Sequence, residues 1–476
     1  MRTKSLLPLF LISVMSPASM LWGQNTYVPD DNFEQKLIDW GYDDVLDDSV
    51  LTANISGVTN VFIPWNSGVA DLTGIEDFTA LTSLSCSYNE LTSLDLSSNT
   101  ALVDYLYCDN NQLTSLDVSA NTALTDLRCN YNELTSLNVN NATDLATLYC
   151  YGNDLTSLDV SSNTALSTLW CYGNDLTSLD VSSNPALTNL NCSGNALTSL
   201  DVSNNTALTE LNCSYNELTT LDGVSSSNTS LSTLSCQYNQ LTTLDVSANT
   251  ALTTLYCYNN ELTTLDVSAH TALTSLNCGS NQLTSLDVSA NTDLTLLNFI
   301  YNNLTSLDVS ANTALTALYF YGNELTTLDV SANTALTILR CDRNSLTTLD
   351  VSANTALTSL QCYNNELTYL NVKNGATDQL TTFNAMNNSL TCIEVNADDV
   401  AYATENWTYA NDNIDEGVGF SVVCAPEGYT YVPDNNFEQA LIGLAVAGGG
   451  AAVAFSGGGG TTVEPIDEPP GFPTVP

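Results

Sequence analysis

Fourteen cysteines and 52 carboxylates, set against a single histidine, are the residues of this chain whose types could do chemistry. Twelve of the cysteines recur at Cys86, Cys108, Cys129, Cys150, Cys171, Cys192, Cys213, Cys236, Cys257, Cys278, Cys341 and Cys362, most of them 21 residues from the next. Thiols at such spacing could pair as disulfides, hold a soft metal, or simply fill a core. A second file runs through Asp95, Asp117, Asp159, Asp180, Asp201, Asp222, Asp245, Asp266, Asp287, Asp308, Asp329 and Asp350, with Asn138 and Asn371 interrupting it. Carboxylates in register repel one another and draw in cations. Calcium, however, needs several oxygens converging on one ion, and a single file offers few, so a solvated acidic face is the reading adopted. His270 stands where most copies carry Asn, with no nucleophile near it in sequence. The acids lie in repeated registers rather than as one odd pair, and neither a phosphate-binding glycine loop nor a zinc motif occurs. The chain reads as a non-enzyme, with no catalytic residue, metal or cofactor assigned.

What positions these residues is a repeat. The stretch Leu241–Glu261, "LTTLDVSANTALTTLYCYNNE", returns in close variants between Leu81 and Asn388. One half reads Leu-x-x-Leu-x-Cys-x-x-Asn, as at Leu252, Leu255, Cys257 and Asn260; the other reads Leu-x-x-Leu-Asp-Val-x-x-Asn, as at Leu241, Leu244, Asp245, Val246 and Asn249. Leu-x-Cys and Leu-Asp-Val alternate inward and outward with the period of a strand, and the Asn segments between them are turns. One copy is therefore one coil with two short strands on opposite sides. Its half-dozen buried apolar side chains yield roughly 1.5–3 kcal/mol each, whereas ordering its backbone costs on the order of 1–2 kcal/mol per residue. A lone coil cannot stand, and many must stack.

The cysteine column extends through Phe299, Phe320 and Phe383 to 15 copies. A position that accepts Phe is an apolar core site, where a thiol behaves as a small hydrophobe. Stacked coils also set neighbouring Cβ atoms about 4.8 Å apart, beyond the roughly 3.5–4.5 Å a disulfide wants. One extra residue before Cys108 and two before Cys236, in "LDGVSSSNTSLSTL", are expected to bulge from a turn.

The pattern resembles the leucine-rich repeat, Leu-x-x-Leu-x-Leu-x-x-Asn/Cys-x-Leu. Its nested ten- and eleven-residue halves are similar to the bacterial 21-residue class called IRREKO-type. The resemblance covers about 310 residues. It implies a mainly β solenoid of about 15 coils with a small helical N-terminal cap, and it implies that the first-half Asn faces inward to bond turn backbone. That Asn column holds from Asn89 to Asn365 and fails at Met386, where the solenoid is expected to end. "TYVPDDNFEQKLIDWGYDD" resembles the N-terminal cap of secreted leucine-rich-repeat proteins from Bacteroidetes; Asp30 or Asp31 can cap a helix that carries Phe33, Leu37 and Ile38 on one face. "LTCI…NW…F…C" resembles the family's C-terminal cap and implies a Cys392–Cys424 disulfide closing the last coil.

The chain opens "MRTKSLLPLFLISVM", a charge-then-apolar layout too short to span a bilayer and read as a secretory signal peptide. The expected organisation is 1–24 signal peptide, 25–68 N-terminal cap, 69–391 leucine-rich-repeat solenoid, 392–424 C-terminal cap and 425–476 tail. In that tail Thr430–Ile442 repeats the words of the N-terminal cap before a low-complexity run. Cleavage would leave five basic residues against 52 acids, a net charge of −47. Such a field excludes nucleic acid as a partner, while 43% apolar content excludes a disordered acidic chain.

Inward positions barely change between copies, whereas the outward positions after the second Leu and after the Cys change most. Residues two apart on a strand share a face, about 6.8 Å apart. On this rule Tyr107, Tyr149, Tyr151, Trp170, Tyr172, Tyr256, Tyr258, Tyr319 and Tyr321 are the candidate ligand-binding residues, with Tyr149, Tyr151, Trp170 and Tyr172 expected as a two-by-two patch. The reading that follows is a secreted or cell-surface monomer that binds a protein partner through the Leu-x-Cys sheet. A glycan-binding module using the Tyr/Trp patch, or a structural surface spacer, are the alternatives.

Overall fold

The computed structural model describes residues 23–424, so the signal-peptide and tail expectations lie outside the described residues. The chain divides after Leu155 into two compact units.

In the first unit, strand Asn25–Tyr27 pairs antiparallel with Ser49–Leu51, and helix Asp31–Asp39 lies between them in sequence. Asp30 begins that helix. One of its oxygens accepts from the N–H groups of Asn32 and Phe33, both at 2.9 Å, and the other accepts from Ala70 at 2.7 Å and Asp71 at 2.9 Å. A single carboxylate thus satisfies orphan helix donors and ties the helix to the loop leading into the coils. Phe33 and Leu37 are fully buried, with the Phe33 ring 6.3 Å from that of Phe78. Five parallel three-residue strands follow, Asn60–Phe62, Ser83–Ser85, Tyr105–Tyr107, Asp126–Arg128 and Thr147–Tyr149, one from each successive coil.

The second unit continues the design with eleven such strands, from Thr168–Trp170 to Thr382–Asn384, each paired in register with the next (Leu255 opposite Leu276, for instance). Register is fixed because a one-residue slip would turn every buried Leu outward. Leu252, Leu255, Cys257 and Val267 all have no exposed surface. All twelve column cysteines are buried thiols, and Phe299 and Phe320 stack in the same column at 5.7 Å.

The inward Asn column ties coil to coil. Asn260 Nδ2 donates to the carbonyls of Cys257 in its own coil and Cys236 in the one before, at 3.1 and 3.0 Å, while its Oδ1 accepts from Leu241 N at 3.0 Å. This bonding does not stop at Asn365. Asn388 Nδ2 reaches the carbonyls of Cys362 and Ala385, at 3.1 and 2.9 Å, and its Oδ1 takes Leu367 N at 3.0 Å. The expectation that the column fails at Met386 is therefore corrected. The segment around the 3-10 turn Thr377–Gln379 carries two extra residues, so Phe383 pairs with Leu360 in the leucine column and Ala385 takes the cysteine position.

The opposite side is less regular than two strands per coil. Strand pairing there is confined, among the described residues, to Ser115–Asp117 with Ser136–Asn138, to Ser199–Asp201 with Thr220–Asp222, and to four strands from Thr348–Asp350 to Gly419–Ser421. The two-residue insertion forms a short helix, Val224–Ser227, entered through Gly223 at φ 82°, where a Cβ would collide with the Ser203 backbone. At the C-terminal end Phe383 stacks on Trp407 at 3.9 Å, and a disulfide joins Cys392 to Cys424 with Cα atoms 5.7 Å apart. No helix among the described residues is long and apolar enough to cross a membrane.

Candidate functional site

Each strand of the long Leu-x-Cys sheet has three residues, so two of its side chains flank the buried Leu on the outer face. The residue after the Cys adds a third outward position. Sequence reasoning counts the two that follow the Leu and the Cys; the one before the Leu carries partners that the others need. In the first unit Asp126 holds that place. Its carboxylate accepts from Tyr107 Oη at 2.8 Å and pairs with the Arg128 guanidinium at 3.0 Å. The guanidinium lies 4.3 Å from the centre of the Tyr107 ring and 5.3 Å from that of Tyr149, within cation–π range. Burial first, then the Asp126 carboxylate, push the Tyr107 phenol up to about 12. In the second unit Asn189 holds the same place and accepts from Trp170 Nε1 at 2.9 Å, and Ser275 lies 3.2 Å from Tyr256 Oη.

All nine aromatic residues selected from the sequence are half-buried rather than free-standing. Tyr107, Trp170 and Tyr256 reach across the sheet surface to the next strand. Tyr149 and Tyr151 are 6.2 Å apart in the first unit, and Trp170 and Tyr172 are 6.5 Å apart in the second. Small outward residues such as Ser85, Ser87 and Ser214 are buried.

Besides Phe62 and Trp65, the exposed aromatic rings described on this side belong to a column that sequence reasoning passed over. Tyr88, Tyr131, Tyr215, Tyr238 and Tyr301, each two residues past the core position, are 41–53% exposed. All five have φ between 48° and 55°. That left-handed turn suits Gly or Asn, and indeed Gly152, Asn259 and Gly322 occupy it in other coils. A Tyr there projects its ring off the edge of the sheet onto the next coil. Tyr131 meets Tyr151 edge-on at 5.1 Å, Tyr301 meets Tyr321 at 5.1 Å, and Tyr215 stacks on Tyr238 at 4.3 Å. Gly152 and Gly322 make room: a Cβ on either would strike the ring of Tyr131 or Tyr301. The signal was legible as "Tyr…Tyr-Gly" one coil apart, at Tyr131/Tyr151-Gly152 and Tyr301/Tyr321-Gly322. Beside the latter, the Arg340 guanidinium lies 4.4 Å from the Tyr321 ring centre and 3.5 Å from buried Asp342.

No family model matches the chain. Among solved structures it is similar to the functional domain of InlJ from Listeria monocytogenes, which includes a cysteine ladder: 39% identity, 78% of this chain, 82% of that one, TM-score 0.70. The chain belongs to the leucine-rich-repeat family that includes that internalin. A leucine-rich-repeat protein of Leptospira interrogans shares the fold alone, at 24% identity over 76% of this chain and 97% of that one, TM-score 0.63. Full-length Internalin J of Listeria monocytogenes is 41% identical over 76 residues, which is 16% of this chain but only 8% of that protein.

The other side of this leucine-rich-repeat protein offers little that is distinctive. Eleven of the twelve ladder aspartates accept a bond from the Ser N–H two residues on, at 2.8–2.9 Å. The Ser hydroxyl and then its N–H hold the carboxyls of Asp159, Asp180, Asp266, Asp287, Asp308 and Asp329 below the ordinary range. These acids make turns. His270, fully buried, sits in the second Asn column with Nε2 2.9 Å from Val246 O.

Proposed function

We propose that this leucine-rich-repeat protein is exported and binds a protein partner through the outer face of its Leu-x-Cys sheet, without catalysing a reaction. The observation that carries the reading is the tyrosine column at the left-handed turn. Large aromatic rings stand exposed there, edge-on or stacked against a second ring, and Arg343, itself at the left-handed turn, donates to Tyr301 Oη at 3.4 Å. Tyrosine and arginine are the residues that dominate binding energy in protein interfaces. Tyr107, Tyr149, Tyr151, Trp170, Tyr172, Tyr256, Tyr258, Tyr319 and Tyr321 form the half-buried floor on which the exposed rings rest. The acidic field of the chain would steer basic partners toward it. The repeat class and cap words further support an origin among secreted 21-residue-repeat proteins of Bacteroidetes, with domains at 25–68, 69–391 and 392–424.

The labelled chain applied to arrays of surface proteins and of glycans tests this reading. A protein ligand should lose about 2 kcal/mol or more of binding when Tyr131 and Tyr151, or Tyr301 and Tyr321, become serine. The triple change Asp159→Asn, Asp180→Asn, Asp201→Asn should alter mainly the salt dependence. Normal binding by the serine variants with loss in the asparagine variant would place recognition on the other side. Signal on glycans alone would make the rings a sugar platform.

A further inference from the structure

The N-terminal cap gathers three carboxylates that neither the repeat nor the sheet face requires. Single oxygens of Asp31, Glu34 and Asp48 all lie within 4.8 Å of one another. Asp31 and Glu34 stand in the first turn of helix Asp31–Asp39, where acids are favoured by the helix dipole. That accounts for two of the three. Asp48 is brought in by a backbone in the left-handed region, φ 60°, an uncommon state for a side-chain-bearing residue.

Glu34 is the decisive residue, because it has no exposed surface. Its Oε1 accepts from Asp47 N at 3.1 Å and Ser49 N at 2.9 Å, holding the acidic loop "DDVLDDS" against the helix. Its Oε2 has no hydrogen-bond partner among the described residues. A buried carboxylate with an open oxygen and two further carboxylates beside it is costly unless a cation balances it. Among the described residues of the cap, the only ion pair engages Lys36 with Asp39 instead.

We propose that Asp31, Glu34 and Asp48 bind one hard divalent cation, calcium by preference, which locks the acidic loop to the cap helix. Oxygen-only donors disfavour the softer transition metals. Ligands drawn from a helix and a loop suit the flexible coordination of calcium better than the strict octahedron of magnesium, and water or backbone carbonyls would complete the shell. The repeat ladder is a poor rival, since its carboxylates stand in single file and are engaged by their own Ser residues.

The test uses the full secreted chain, titrated with calcium by calorimetry and with terbium by luminescence. One site is expected, with Asp31→Asn and Asp48→Asn each weakening it at least tenfold. Both residues are exposed, so these variants should fold as the parent does. Calcium should also slow hydrogen exchange in residues 31–51 and raise the Tm by several degrees more than magnesium or sodium at equal ionic strength. The variant Asp159→Asn, Asp180→Asn serves as the control and should bind normally. Unchanged affinity in the cap variants, loss in the ladder variant, or equal effects of calcium and sodium would each overturn the assignment.

Discussion

Asparagine in the second turn column uses only its amide hydrogens. Asn249 Nδ2 donates to Val224 O and Asn228 O, both at 2.8 Å, and Asn291 does the same to Val267 O and His270 O. A histidine can replace it because a ring N–H is also a donor, but one ring nitrogen makes one such bond, from Nε2 to Val246 O. His270→Asn should therefore restore the second bond and stabilise the chain by about 1 kcal/mol. Chemical denaturation at neutral pH measures it; a destabilised variant would mean that packing of the ring outweighs the bond. The sequence showed His270 to be a substituted turn residue from its place in the repeat. It could not show that the place is fully buried and donor-only.

At the scale of the element, the Asp file explains why the second sheet is broken. Like charges in register resist strand pairing. Two of the three paired patches include the asparagines that interrupt the file. Asn138 Nδ2 donates to Asp117 Oδ2 at 3.0 Å, and Asn371 Nδ2 to Asp350 Oδ2 at 3.1 Å, turning repulsion into a cross-strand bond. An Asn also keeps the turn, since Asn138 Oδ1 accepts from Asn140 N at 3.1 Å. Asp159→Asn with Asp180→Asn should hence raise the Tm at low salt, with the gain shrinking as salt screens the file. The file also sets an acid limit. Folded carboxyls held below their unfolded pKa of about 4 contribute stability above that pH and lose it as pH falls through the folded values. Melting temperature should be nearly flat from pH 7 to 5 and decline below about pH 4, less steeply in the asparagine variant. A decline centred near pH 6 would contradict this origin.

For the whole molecule, the thiol column separates two kinds of cysteine. Burial pushes the thiols of Cys150, Cys192, Cys236 and Cys278 up to about 12, so little thiolate exists at neutral pH. The folded protein should resist alkylation. Once unfolded without reductant, it should show twelve labelled thiols and a single bridge, Cys392–Cys424, by mass spectrometry; six bridges would overturn the core reading. Reduction should speed hydrogen exchange in residues 392–424 before the coils, because stacked coils share their strand and Asn bonds with two neighbours and the cap with one. Rapid exchange across all coils at once would argue for a single cooperative unit instead.

The repeat made the coil legible, since each inward Leu, Val, Cys and Asn is local and any change would be felt by both neighbours. It misled where spacing slipped, for a step of 21 carried past the two extra residues near Thr377 places Phe383 in the cysteine column, two residues away from its true leucine position. What the sequence by itself determined is which side chains fill the core and that the coils must stack, because alternation and burial repeat within every copy. Only the tertiary structure decided which outward rings meet solvent, that Tyr131, Tyr215 and Tyr301 leave the sheet through a left-handed turn, and that Asp31, Glu34 and Asp48 converge. Those outcomes depend on neighbours one coil or one loop away, a distance that sequence spacing does not encode.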